Sequence, residues 1–398
     1  MDSVPNLKTW TILAAGAASA VLFYVGTGLT PVPGLALLAP LPVLLAAPRV
    51  SAPVAVGLAF AANLAGASNN WSWYAVSHDI PLWPMGVLIT VSFSATFALS
   101  AWAYRSLMTR GRPLAAAVTA PALWTGVVYL VSVLNPMGMS FSLASTLADL
   151  PVIVQTAAVT GMWGVEFLVL FTPSAIAAIL TASAPGAARM RIAAVAAVVV
   201  ALVVGGGAWR LASDDGTSPT HKVALLSHNE SDWGADVSAP EGKKLLDSYL
   251  DRISELPEDV DTVVLPEGEF AADAASRPNL VDPLRQLAGD RNITIVVGYQ
   301  YHGEDGRFNN AIAVPGDGGE PVDYTKHHDT GNVPGTELAF APGSDDKAGM
   351  MICGDLNFPD PSRDYGLAGA RLMLIPAADE NVNGRIHARD AVYHSVEH

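Results

Sequence analysis

The chain has 398 residues, of which 51% are hydrophobic and only 15% charged, and its mean hydropathy is +0.34. Soluble domains carry roughly 25% charged residues, so this composition excludes an ordinary water-soluble enzyme, and it is far too apolar for a disordered chain. The formal charge of −15 is divided unevenly: residues 1–212 hold eight Lys/Arg against four Asp/Glu, and residues 213–398 hold fourteen against thirty-three. Two parts in two solvents are implied. The acidic part shows no basic stripe, which argues against a nucleic-acid partner.

Seven apolar stretches with few charges follow one another in the first part, near 8–29, 33–48, 52–73, 83–104, 114–134, 158–182 and 192–211. A hydrocarbon core about 30 Å thick takes roughly 20 residues per helix, so the pattern predicts an α-helical bundle of about seven spans, with 33–48 short. Lys8, Arg49, the Arg105/Arg110/Arg112 cluster and the Arg189/Arg191 pair occupy alternate connections. The other connections, 30–32, 74–82 and 135–157, hold no Lys or Arg. The positive-inside rule therefore puts the N-terminus in the cytoplasm and residue 213 onward outside. Arg210 departs from the pattern at an outer end, where it can snorkel. Because six further stretches follow, the first reads as an uncleaved anchor rather than a signal peptide. Trp71, Trp73 and Trp83 flank an outer loop, as an interfacial aromatic belt would. Glu166 lies inside the apolar run 162–170, where a carboxylate is costly unless it faces a polar cavity. It is a candidate functional residue, with an ordinary interfacial carboxylate as the alternative.

After a hinge at 213–220, short β-rich runs alternate with helices and Gly/Pro/Asp turns. Buried strands are predicted at 223–226, 262–265, 293–297, 311–314, 349–352 and 372–375, and helices at 242–256, 283–290 and 386–397. Such alternation predicts an α/β layered domain over 221–398. The chain ends at His398, within the last predicted helix.

Cys353 is the only cysteine, which excludes an intramolecular disulfide. It directly follows the apolar run 349–352, at a strand end, where α/β proteins place their chemistry. Position alone leaves a nucleophile and an inert buried thiol equally open. A thiol nucleophile needs a base and a positive group for the oxyanion of its tetrahedral intermediate. Glu267 follows one predicted strand and Lys326 follows an extended segment; Glu269 and Glu337 are further carboxylates of the same neighbourhood. The group His327, His328 and Asp329 has no spaced partner set, so no metal site and no cofactor are expected.

Together, Leu265-Pro266-Glu267, Tyr324-Thr325-Lys326-His327-His328 and Ile352-Cys353-Gly354-Asp355-Leu356-Asn357-Phe358-Pro359 resemble the motifs of the carbon–nitrogen hydrolase (nitrilase) superfamily. The Asn309-Asn310-Ala311 strand start looks similar as well. The resemblance implies an αββα sandwich with a Glu–Lys–Cys triad, and implies that a chain stopping at His398 lacks the last strands of that sandwich and a final membrane span. With membrane helices in front, and with Pro121–Trp124 and Gln155–Leu168 similar too, the chain resembles the apolipoprotein N-acyltransferase branch.

That branch moves a fatty acyl chain from a phospholipid to the N-terminal amine of a diacylglyceryl-cysteine lipoprotein. The resemblance therefore implies a plasma-membrane acyltransferase whose partners are a phospholipid donor, a lipoprotein acceptor and the membrane. Glu267 would be the general base, Cys353 the nucleophile that becomes a thioester, and Lys326 the oxyanion stabiliser. Glu337 would be a second carboxylate near the triad, with Gly354, Asp355 and Glu166 in supporting or substrate-binding positions. Gly354-Asp355 replaces the aromatic and glutamate usual in the branch, and the 328–337 spacing is longer than usual. Both differences bear on the substrate, leaving a membrane-tethered amidase and a non-catalytic scaffold as alternatives.

Overall fold

The computed structural model describes residues 7–75, 81–135, 138–139, 142–182, 186–213, 220–228, 233–342, 347–378 and 386–398. Its contacts divide the chain into two compact units, Met1–Asp215 with Asn381–Glu397, and Gly216–Glu380 with His398. Most of the expected hinge lies outside the described residues.

The first unit is helical. Among the described residues, five helices are long and apolar enough to cross a membrane: Thr9–Gly26, Leu82–Thr109, Pro113–Leu134, Ala157–Thr181 and Gly186–Ala212. The other two expected stretches are helical but shorter. The stretch 33–48 forms only short helices, Leu35–Leu37 and Leu41–Ala46, and 52–73 is helical as Ala52–Ala67 before its geometry tightens. Prolines punctuate the short stretch at positions 40, 42 and 48, each removing a backbone donor from a continuous helix.

Small residues face inward in this bundle. Gly16, Ser19 and Gly26, then Ala55, Ala59, Ala62 and Gly66, then Ala116, Ala117 and Ala120 are buried at helical spacing. Large apolar side chains such as Leu13, Leu130, Val198 and Leu202 are exposed, an arrangement that suits lipid rather than water. Arg105 Nε donates to the Val50 carbonyl at 2.8 Å, which joins two of the basic connections. The helix Ile386–Glu397, expected inside the outer domain, groups with the bundle instead. Its Val392, Tyr393 and Val396 pack against the bundle core, and Tyr393 Oη donates to the Ala144 carbonyl at 2.5 Å.

The second unit is α/β. Its larger sheet contains β1 (Val223–Leu225), β2 (Ala235–Asp236), β3 (Thr262–Val264), β4 (Phe270–Asp273), β5 (Thr294–Gly303), β6 (Gly306–Val314) and β7 (Val322–Thr325). A second sheet contains β8 (Phe340–Ala341), β9 (Ala348–Met350) and β10 (Leu372–Leu374). The six predicted strands are all present. β5 and β6 run longer than predicted because they pair antiparallel with each other, from Ile295 opposite Val314 to Gly303 opposite Gly306.

Two helices, Pro240–Ser254 and Arg277–Arg291, cover one face of the larger sheet. Leu246, Tyr249, Ile253, Leu280 and Leu284 pack there against Val263, Ile295, Val297 and Ile312. Alternate residues Val264, Val296, Ala311 and Ala313 are buried on the opposite face, as the two-residue period of a strand demands. β5 is the central strand, and the candidate site is built around it.

Candidate active site

Glu267 owes its position to an interruption in a strand. β3 and β4 both pair in parallel with β5 along one edge, with Val264 opposite Val296 and Phe270 opposite Tyr299. Five residues, 265–269, therefore face only two on β5, Val297 and Gly298. The three extra residues bulge outward around Glu267. The ladder closes on either side: Leu265 N–H donates to the Val296 carbonyl, Gly298 N–H to Pro266, and Glu269 N–H to Gly298. Gly298 makes the bulge possible, since a Cβ there would lie 2.4 Å from the Pro266 oxygen and 2.5 Å from Glu267 Cα.

The carboxylate so delivered is only 4% exposed and meets two donors. Lys326 Nζ and Asn309 Nδ2 each lie 2.7 Å from Glu267 Oε1. Asn309 sits on β6, and its carbonyl accepts from the Lys326 N–H as β7 ends, so one residue positions both members of the ion pair. Burial alone would push the Lys326 ammonium toward neutrality. The charges of Glu267, Cys353 and Asp355 outweigh it and hold this lysine above its ordinary range.

Cys353 opens a tight turn, Cys353–Asn357, directly after the buried residues 350–352. Its φ of 39° lies in the left-handed region, which a side chain with a Cβ occupies only under strain. Asp355 braces the turn. Fully buried, it accepts from Tyr324 Oη at 2.7 Å, from the Ile352 N–H at 3.1 Å and from the His328 N–H at 2.9 Å. One carboxylate thus ties the residues around Lys326 to the turn that carries Cys353.

The turn also presents an oxyanion donor. Cys353 N–H is used by the Pro376 carbonyl and Asp355 N–H by Ile352. Gly354 N–H has no partner among the described residues, and a Cβ on Gly354 would sit 3.7 Å from Lys326 Nζ. An amide N–H and an ammonium side by side next to a thiol can stabilise a developing oxyanion.

Glu267, Lys326 and the Cys353 turn are therefore brought together, with Gly354 and Asp355 between them. Glu337 is not: its side chain is exposed, and its backbone oxygen lies 3.2 Å from His327 Nε2. Glu269, by contrast, is buried and accepts from Tyr249 Oη at 2.7 Å. His328 is stacked on Phe358, with ring centroids 3.7 Å apart, and its Nε2 lies 3.2 Å from Asp360 Oδ2. Asn309 is the contributor that sequence reading left without a role; the Asn309-Asn310-Ala311 segment, similar to the family's, was its one signal.

In the first unit, Glu166 is fully buried and accepts from Trp124 Nε1 at 2.6 Å, Ser142 Oγ at 2.6 Å and the Ala144 N–H at 2.7 Å. It is thus a fully hydrogen-bonded hub within the bundle.

Comparison with known proteins matches both parts. The apolipoprotein N-acyltransferase N-terminal domain matches residues 19–175, and the carbon-nitrogen hydrolase family matches residues 239–392. An apolipoprotein N-acyltransferase of Geobacter metallireducens is 24% identical over 413 residues, covering 94% of this chain and 78% of that relative. A hydrolase from the pqqF 5′ region of Pseudomonas protegens is 30% identical over 145 residues, or 30% of this chain. The chain spans about half the length of that hydrolase, 49%. Similar solved structures include Saccharomyces cerevisiae Nit3, of branch 10 of the nitrilase superfamily, at 23% identity and TM-score 0.35, covering 42% of this chain and 68% of that one. An amidase from Nesterenkonia sp. is similar at 22% identity and TM-score 0.33, covering 40% and 66%.

Proposed function

The chain belongs to the apolipoprotein N-acyltransferase branch of the carbon–nitrogen hydrolase superfamily, and we propose that it moves a fatty acyl chain from phospholipid to the N-terminal amine of a diacylglyceryl-cysteine lipoprotein. One observation carries this reading: the buried Glu267–Lys326 ion pair stands against the Cys353 turn, in a chain whose first unit is built of membrane-length helices.

In the first half-reaction Glu267 takes the thiol proton and Cys353 Sγ bonds to the ester carbonyl carbon of the lipid. The carbonyl π electrons move to oxygen, which Lys326 Nζ and the Gly354 N–H stabilise. Collapse of this intermediate breaks the carbon–oxygen bond to glycerol, whose oxygen takes the proton back from Glu267. In the second half, the acceptor amine attacks the thioester and loses a proton to Glu267. The amide forms and the thiolate leaves, reprotonated by the same carboxyl group.

The basic connections support an N-terminus in the cytoplasm and a catalytic unit outside. Arg105 binds the 49–51 connection, while Arg210 Nε donates to Gln155 Oε1 at 2.8 Å, in a connection that holds no basic residue of its own.

Intact mass spectrometry after incubation with phospholipid vesicles tests the reading. A hydroxylamine-labile gain of one acyl chain, absent from Cys353→Ala and discharged by a diacylglyceryl-cysteine peptide, is expected. Discharge by water alone would replace the acyltransferase with a hydrolase of the same fold. No adduct on folded protein with a reactive thiol would overturn both in favour of a scaffold.

A further inference from the structure

Gly354 is a glycine that the backbone does not require. Its φ is not in the left-handed region, where glycines such as Gly268 and Gly369 are found. A Cβ built on it clashes with nothing; its nearest neighbours are Lys326 Cε and Nζ at 3.7 Å and Asn357 Nδ2 at 3.8 Å. At Gly298 and Gly349 glycine answers a packing demand, whereas Gly289 and Gly331, like Gly354, meet no clash. Added Cβ atoms would come within 2.4 Å of the Pro266 oxygen at Gly298 and within 2.6 Å of the Tyr365 ring at Gly349. At Gly354 a Cβ would sit at ordinary contact distance, and what singles the position out is that it flanks Lys326 Nζ. Gly354 and Cys353 are both half-buried, so the space opens outward from the turn.

We infer that Gly354 determines acyl specificity, leaving room beside the oxyanion site for a substituent next to the ester carbonyl, so that acyl chains branched at carbon 2 are accepted alongside unbranched ones. This rests on the acyl-transfer reading above. The geometry supports it because the oxyanion must lie within hydrogen-bond reach of both Lys326 Nζ and the Gly354 N–H. The acyl carbon bonded to that carbonyl then lies close to where a side chain at 354 would project. A methyl branch there and a side chain on residue 354 compete for one volume, whereas an unbranched chain leaves it free. One methylene-sized group in a hydrophobic pocket is discriminated by about 10- to 200-fold, and a space open on one side belongs at the lower end of that range.

The test presents vesicles holding equimolar phosphatidylethanolamines with hexadecanoyl or 2-methylhexadecanoyl chains, and reads the two thioester masses on Cys353. Wild type should form both adducts to within a few fold. Gly354→Val should lower the branched-to-unbranched ratio by about tenfold or more, with Gly354→Ala in between. Gly354→Ala adds only a Cβ that meets ordinary contacts, so it keeps the test informative if the valine variant does not fold. A wild type that takes the unbranched chain alone, or a ratio unmoved in both variants, overturns the inference while leaving acyl transfer intact. Absence of both adducts from wild type overturns acyl transfer itself.

Discussion

The Tyr324 phenol donates to the Asp355 carboxylate at 2.7 Å, and that bond joins the strand delivering Lys326 to the turn delivering Cys353. Both groups are buried, and the two backbone N–H groups of Ile352 and His328 complete the acceptor capacity that the carboxylate uses. Burial first, then the Asp355 charge, pushes the phenol far above the ordinary tyrosine range, so it remains a neutral donor across the physiological range. Asp355→Asn puts an NH2 group where an acceptor is needed, at a cost of about 1–3 kcal/mol. Tyr324→Phe removes one donor and should cost about 1 kcal/mol. Thermal unfolding ranks the two, and acylation rates should fall in the same order.

Gly298→Ala tests the bulge. The new Cβ collides with backbone atoms, which cannot rotate away as a flexible side chain would. Overpacking of this kind costs about 1–3 kcal/mol. The strain falls on Glu267 itself, so acylation should drop by more than the stability loss explains. A variant as stable and as active as wild type would show that the 265–269 segment is not held by β5.

The raised Lys326 value has a signed consequence for pH. A group whose folded value is raised stabilises fully below its unfolded value, near 10.4 for lysine, and that contribution fades as pH rises toward the folded value. The alkaline loss of stability should therefore include a Lys326 component beginning only above about pH 10.4. Glu267→Gln removes a main charge opposing desolvation and should bring that loss to lower pH. Melting temperatures taken between neutral and strongly alkaline pH decide the point.

The two candidate second carboxylates make opposite predictions. Glu269 is buried and hydrogen-bonded to Tyr249, while the Glu337 side chain is exposed. Glu269→Gln should destabilise the unit by about 1–2 kcal/mol and slow acylation, whereas Glu337→Gln should stay within about 0.5 kcal/mol of wild type. A large loss on Glu337→Gln with unchanged stability would assign that residue a role in contacting substrate.

Within the bundle, Glu166→Ala would strand the Trp124 indole N–H, the Ser142 hydroxyl and the Ala144 N–H where water is scarce. The expected loss is ~3 kcal/mol or more. Glu166→Gln keeps an acceptor and should lose less. Melting in detergent, followed by intrinsic fluorescence of the nine tryptophans, reports both.

Much of this protein is written locally along its chain. Hydropathy and the alternation of arginines separate the bundle from the acidic α/β unit, since membrane insertion depends on the composition of each stretch. The strand ends at Glu267, Lys326 and Cys353 were legible for the same reason, because apolar runs stop where the chain must turn. Sequence could not decide which carboxylates lie near the triad. Glu269 and Glu337 are both plausible on spacing, and only sheet pairing, with five residues set against two on β5, buries one neighbourhood and leaves the other in water. Asp355 looked like a departure at a substrate-contacting position until three donors from two segments converged on it. Partners distant in sequence carry no local signature, and the burial and pairing that fix a buried polar group exist only after the strands have met.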